Sequence, residues 1–194
     1  MKFKNQENCF KSITYDNFHY PVGYFQLLTW HQTRNGLAVS GTGHQALLDV
    51  PMAAFFASRQ CPGTAIRAAT DWALVQARAR QVVIGGFHSP LEQSVLQLLL
   101  TARSPVVAVL ARTVDGVRLQ PAWKAAIAEG RMAVVSATTE TLRLTNELAA
   151  RRNELVAQLA GSIVIAHASA GGELARQLAS WMQRGFQVTR LVDN

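Results

Sequence analysis

From Gly36 onward the chain alternates short, continuously apolar runs with amphipathic stretches, and this alternation confines it to one class of fold. The apolar runs are LAVSGT (37–42), AAFFAS (53–58), QVVIGG (81–86), PVVAVLA (105–111), RMAVVSA (131–137), SIVIAHA (162–168) and FQVTRLV (186–192). Helix patterns lie between them at 64–80, 89–102, 119–130, 139–161 (one helix or two) and 172–185. A strand that is apolar throughout needs cover on both faces, and crossover helices supply it to parallel sheets. The expected architecture is a Rossmann-like three-layer α/β sandwich with a mostly parallel sheet.

Local signals support the helix boundaries. In 64–80, Ile66, Ala69, Trp72 or Ala73, Val75 and Ala79 form the expected core stripe, with Pro62 and Gly63 at its start. Ser89 stands at an N-cap, Pro90 at the first helical position and Glu92 three residues after the cap, a complete capping box. Gly130, Gly161 and Gly185 are placed to end helices. Residues 1–20 have no clear period and read as an arm; residues 21–34 read as a short helix or an edge segment. The expected division is an arm over 1–36, packed on or preceding a domain at 37–194.

Composition removes several classes. A chain of 194 residues, 49% of them hydrophobic, can bury a core. Only 16% are charged, below the usual share of about 25%, so a wholly disordered chain is excluded. No run approaches the roughly 20 apolar residues of a membrane span, and MKFKNQENCF lacks the apolar stretch of a secretory signal. No membrane partner is expected. Cys9 and Cys61 are too few for a disulfide framework or a four-ligand zinc site, which fits a reducing cytoplasm. The chain lacks G-x-x-x-x-G-K-[ST], a G-x-G-x-x-G on the first strand–helix turn, and G-x-S-x-G. No cofactor or metal is therefore expected. The 19 basic residues exceed 12 acidic ones, giving a formal net charge of +7, and 15 of them are Arg. Arginine's planar fork suits phosphate, so a nucleotide or nucleic acid partner fits the balance.

Ligands of open parallel sheets sit beyond the carboxyl ends of the strands. Four loops there draw attention. Ser58, Arg59, Pro62 and Gly63 lead into a helix N-terminus, which can hold an anion. Cys61 in the same loop is expected to have a lowered pKa, from that terminus and Arg59. Gly85, Gly86, His88 and Ser89 form the second loop; its glycines allow close approach, while Ser89 and Glu92 are already explained as a cap. In the third, Arg112 and Arg118 either reach the cleft or pair with Asp115. In the fourth, His167 precedes Gly171 and Gly172, and Glu173 reads as a first-turn residue. Arg151 and Arg152 point about 100° apart on a helix, so one of them should face solvent. Trp72, Trp123 and Trp181 read as core faces of helices.

The run GTGHQALLDVPMAAFFASR (41–59) resembles the opening of the DNA-processing protein A (DprA/Smf) family, where G-N-x-x-L-L-x-x-P precedes a strand ending in Gly-Ser-Arg. Gly41 or Gly43, Leu47, Leu48, Pro51, Ser58 and Arg59 carry that match. VVIGGFHSPLE (82–92) and residues 111–136 are similar to a branch of the family. Residues 146–175 resemble its R-N-R-x-I-A and V-V-V-E-A stretches through Arg152, Asn153, Leu159, Val164, Ala168, Gly171 and Gly172. Gly85 to Pro90 replace the usual Ser-Gly-x-A-x-G-I-D, His167 replaces the Glu of V-V-V-E-A, and Glu154 replaces the second Arg. Neither a winged-helix nor a SAM-like domain is expected within these 194 residues.

The resemblance implies a SLOG-superfamily domain that binds a nucleotide, another phosphate-containing ligand or single-stranded DNA, with a link to DNA processing. Ser58, Arg59, Pro62, Gly63, Gly85, Gly86, His88, Ser89, Arg112, Arg152, Asn153, His167, Gly171 and Gly172 are the expected contacts. A non-enzymatic role is favoured. One alternative is hydrolysis of a nucleotide N-glycosidic bond, as in the LOG phosphoribohydrolases, using Glu92 or Glu173; Ala170-Gly171-Gly172-Glu173 departs from their P-G-G-x-G-T-x-x-E. The other is an interaction module with a vestigial pocket. A homodimer through a sheet edge or helix face is expected.

Overall fold

The computed structural model describes residues 29–138 and 145–192; the arm read over 1–20, Cys9, residues 21–28 and the start of the fourth helix pattern (139–144) lie outside the described residues. The strands are β1 (Thr29–Arg34), β2 (Leu37–Gly43), β3 (Met52–Ala57), β4 (Val82–Gly85), β5 (Val106–Val109), β6 (Met132–Ser136), β7 (Ser162–His167) and β8 (Val188–Arg190). The helices are α1 (Gly63–Ala79), α2 (Pro90–Thr101), α3 (Pro121–Ala128), α4 (Asn146–Leu159) and α5 (Glu173–Gln183), with a 3-10 turn at Gln45–Leu48. All strands join one sheet in the order β1-β2-β6-β5-β4-β3-β7-β8. From β6 to β8 every neighbouring pair is parallel, while β1–β2 and β2–β6 are antiparallel. The expected α/β class with a mostly parallel sheet is what the chain forms.

Two-sided burial explains the apolar runs. Every residue of β3, β4, β5 and β6 is buried. On one face Ile84, Val107, Val109 and Ile165 pack with Leu155 and Val156 of α4 and Leu178 and Trp181 of α5. On the other, Val83, Val106, Val134 and Val164 meet Ala69 and Ala73 of α1, Leu96 and Leu99 of α2 and Ala126 of α3. The chain steps from β3 to β6 under α1, α2 and α3, then returns under α4 to β7 on the far side of β3. The strand order therefore reverses between β3 and β7.

The stretch read as helix or edge is an edge strand from Thr29 onward. Asn35 (φ 51°) and Gly36 (φ 76°) form the two-residue turn to β2, the left-handed pair that suits strand twist. Trp30 lies flat on Gly41, where a Cβ would stand 2.4 Å from the indole, and its Nε1 donates to the Gly43 carbonyl at 3.0 Å.

The stripe expected on α1 needs correction. Its buried face is Ala65, Ala69 and Ala73, whereas Ile66 and Val75 are 47% and 55% exposed and Ala79 is exposed as well. Alanines let the helix backbone sit close to the sheet and to α2, which leaves the bulkier apolar residues on the outer side. Trp72 is half-buried and stacks on Phe55, with ring centroids 5.0 Å apart. Trp181 is fully buried against Phe56. Among the described residues, no helix is long and apolar enough to cross a membrane.

Candidate anion-binding groove

The turn after β4 is built around a buried carboxylate. Phe87 takes the left-handed conformation (φ 48°), unusual for a bulky side chain, and its ring tucks under Gly85. There a Cβ would come within 3.1 Å of the phenyl, a tight fit that the ring would have to ease by a few tenths of an ångström. Ser89 Oγ accepts from the Glu92 N–H at 3.3 Å, and Glu92 Oε2 accepts from His88 N and Ser89 N at 2.7 and 3.1 Å. The capping box is thus complete. Glu92 does more: its Oε1 accepts from the Ala57 N–H at 3.0 Å, fastening this turn to the end of β3. Burial pushes the Glu92 carboxyl above its ordinary pKa, against the opposing pull of those three N–H groups and of Arg152.

Arg152 faces the same turn from α4. It is only 8% exposed, and a Cβ on Gly86 would meet its Nε at 2.4 Å. Nε and Nη2 donate to Asn153 Oδ1 at 3.3 and 2.9 Å. Asn153 Nδ2 donates to Gln177 Oε1, and Gln177 Nε2 to the Ala150 carbonyl, each at 2.9 Å. This relay between α4 and α5 holds the guanidinium in place. Burial lowers the Arg152 pKa, against the opposing pull of the Glu92 charge. Arg151 diverges as expected: it is exposed and pairs with Glu147 at 2.6 Å.

In front of Arg152 lies a groove of about 550 Å³ over the carboxyl ends of β4 and β5. Gly86, His88, Arg112, Arg118, Trp123 and Arg152 line it over an apolar floor of Leu110, Val117 and Leu119. No carboxylate among the described residues lines it. A second hollow, of about 620 Å³, shares Leu110, Ala111 and Arg152 and runs on to Ser136 at the end of β6. Arg112 and Arg118 come from the β5–α3 loop, which is anchored by buried Thr113, Val114 and Leu119. Asp115 is not their partner: it accepts from Thr29 Oγ1 at 3.2 Å and from Thr113 Oγ1 at 3.4 Å. Among the described residues neither arginine is in an ion pair, whereas Arg34, Arg103, Arg131, Arg151, Arg176 and Arg184 all are. Burial, then the charges of Arg152 and Arg59, push the His88 pKa below its ordinary value.

The remaining predicted residues gather at the β3/β7 seam. Ser58 N donates to the His167 carbonyl, and Ser58 Oγ accepts from Ser169 N, both at 2.9 Å. Pro62 is the N-cap of α1 and Gly63 its first residue. Gly171 has φ 70° and Gly172 caps α5. Arg59 is exposed. The His167 Nδ1 is buried with no hydrogen-bond partner among the described residues. The structure thus brings Gly86, His88, Arg112 and Arg152 together, backed by Gly85, Ser89 and Asn153. It sets Ser58, Arg59, Pro62, Gly63, His167, Gly171 and Gly172 to one side, although the Arg59 charge still reaches His88.

The Cys61 expectation is reversed. The thiol donates to the Ser58 carbonyl at 3.2 Å, and burial, then the Glu92 charge, raise its pKa. Desolvation and a carboxylate outweigh the helix terminus. Of the carboxylates considered for hydrolysis, Glu92 is committed to backbone N–H groups and Glu173 pairs with Arg176 on the surface. Trp123 and Gln120, which also border the groove, are absent from the sequence-based site.

Fold and site together define a Rossmann-like α/β protein with an acid-free cationic groove at the carboxyl edge of its sheet. The chain belongs to the family described as DNA recombination-mediator protein A, whose model matches residues 11–184. Among solved structures it is similar to DNA processing protein A from Streptococcus pneumoniae, with a TM-score of 0.69 at 14% identity over 86% of this chain. It spans 63% of that protein's chain. It is also similar to DNA processing protein A from Helicobacter pylori, described for its single-stranded DNA binding mode: TM-score 0.70, 13% identity, 87% of this chain and 83% of that one. The molybdenum cofactor binding protein from Rippkaea orientalis shares the fold more loosely, with a TM-score of 0.52 at 13% identity over 74% of this chain and 77% of that one. No curated protein matches the sequence.

Proposed function

We propose that the groove binds single-stranded nucleic acid, its phosphates held by Arg112, Arg118 and Arg152 with His88 beside them and Arg59 further along the edge. One observation carries this reading: Arg112, Arg118 and Arg152 converge on one hollow that no described acidic residue lines, and none of the three is in an ion pair among the described residues. Such cations pair with phosphate and release counterions. A shorter phosphate-containing ligand, down to a nucleotide, fits the same donors. The single-stranded DNA binding described for the Helicobacter pylori relative agrees with this reading. The role is binding rather than hydrolysis, because neither candidate carboxylate stands free in the groove. A cytoplasmic setting suits such a ligand.

Fluorescence anisotropy with a labelled oligo-dT across a salt series tests the proposal. Affinity should fall with salt, log K against log salt having a slope of about −0.7 per neutralised phosphate. No binding at low salt, or binding indifferent to salt, removes it.

A homodimer through a helix face is a separate proposal, supported by the exposed Ile66, Leu74 and Val75 on α1. Light scattering on the wild type and on Leu74→Lys tests it; a monomer at high concentration ends it.

A further inference from the structure

We propose that Trp123 is a stacking platform for an unstacked nucleobase, so that the groove reads bases as well as phosphates; this rests on the nucleic-acid reading of the groove. The four tryptophans differ in how their rings are used. Trp181 is buried against Phe56 and donates its Nε1 proton to Glu154 at 2.8 Å. Trp72 stacks on Phe55, and Trp30 covers Gly41 with its Nε1 bonded to Gly43. Trp123 has neither a stacked ring nor a hydrogen-bonded N–H among the described residues. It stands on the first turn of α3, half-buried, with its side chain on the groove wall.

Its surroundings match the two halves of a nucleotide. Leu110, Val117 and Leu119 offer an apolar floor to a base, and Arg112 and Arg118 set positive charge at its margin. The volume of about 550 Å³ falls within the range of small-molecule sites. A flat, half-exposed indole beside unpaired guanidinium groups is the combination that holds single strands, because every base has a face to stack. An inorganic anion would use the arginines and gain nothing from the indole. Duplex DNA would have its bases already stacked on one another.

The test compares three probes on the whole protein: oligo-dT, an abasic oligomer of equal length, and dTMP as a competitor. Trp123→Ala should weaken oligo-dT binding about 5- to 150-fold, the range for one stacked base. It should leave abasic binding and the salt slope unchanged, and Trp123→Phe should recover most of the loss. Displacement of the oligomer by dTMP in the wild type but not in Trp123→Ala also supports the platform and shows that a free nucleotide can be the source of the base. Equal weakening on oligo-dT and the abasic oligomer overturns it, since Trp123 would then only shape the wall; so does no change on either. If the wild type binds neither oligomer, the nucleic-acid reading fails and the platform falls with it. A thermal melt shows whether Trp123→Ala is folded, and Trp123→Phe supplies the answer if it is not.

Discussion

The carboxyl edge of the sheet has two regions, and they treat their polar groups in opposite ways. At the β3/β7 seam, where strand order reverses, Ser58 donates its N–H to the His167 carbonyl and its hydroxyl accepts from the Ser169 N–H. Backbone groups that would meet a ligand in many doubly wound sheets are turned on each other. Over β4 and β5 the polar groups remain open: Arg112 and Arg118 are unpaired, and Arg152 is fixed from behind by Asn153. The general rule for open sheets places ligands at the reversal. Here two hydrogen bonds tie β3 to β7 across that crevice, and the groove proposed as the site lies beside it, over β4 and β5.

The sharpest way to break this division is at Glu92, which joins the two regions through Ala57 N on one side and His88 N and Ser89 N on the other. Glu92→Ala leaves buried donors without an acceptor, and we expect a loss of at least about 3 kcal/mol in urea unfolding. A loss below about 1 kcal/mol would mean that the turn holds without it. Next comes the groove. Arg152→Ala should cost about 1.5–3 kcal/mol of oligonucleotide affinity, as for one hydrogen bond to a charged group, and flatten the salt slope. Arg59→Ala at the seam should cost less, and the reverse order would move the site to the seam.

Gly86→Ala sharpens the comparison without removing a charge. The new methyl must displace the Arg152 guanidinium, so affinity should fall severalfold while the melting temperature stays within a few degrees. Unchanged affinity would show that the guanidinium moves without consequence. Ser58→Ala should do the converse, costing about 1 kcal/mol of stability for one lost hydrogen bond and leaving affinity alone.

The smallest expected effect is on pH dependence. The His88 pKa is lowered in the free protein, so His88 by itself favours folding above the ordinary histidine range and detracts from it as the pH falls. A bound phosphate raises that pKa, so oligonucleotide affinity should strengthen modestly as the pH drops through the histidine range. His88→Ala should flatten the profile; an unaltered profile would take His88 out of contact.

How much of this was legible follows from the range of each signal. The capping box at Ser89 and Glu92 is local and read correctly, but its third donor, Ala57 N, is 35 residues away and invisible to any short window. On α1 the stripe was right at Ala69 and Ala73 but wrong at Ile66, Val75 and Ala79 and missed Ala65, because alanine carries little apolar signal beside isoleucine and valine. The divergence of Arg151 and Arg152 followed from helical geometry, but choosing the buried one required the family resemblance. Asn35-Gly36 was a hairpin signal in plain sight that would have decided between helix and edge strand for Thr29 to Arg34. Trp123 was read as a core residue and does pack against the core, half-buried, but helix position could not show that it also borders the groove.

The groove's lining has a consequence for how such a site can change. Among the described residues, every lining residue apart from Arg152 falls between Gly86 and Trp123. Most binding sites in wound sheets draw on loops scattered along the gene, and altering their preference takes coordinated changes far apart. Here one continuous segment supplies the floor, the loop cations and the aromatic wall, while the rest of the chain contributes a single guanidinium. Recombination within the coding sequence could therefore exchange nearly the whole lining of the proposed site as a cassette, with Arg152 as the constant element against which each new cassette is fitted.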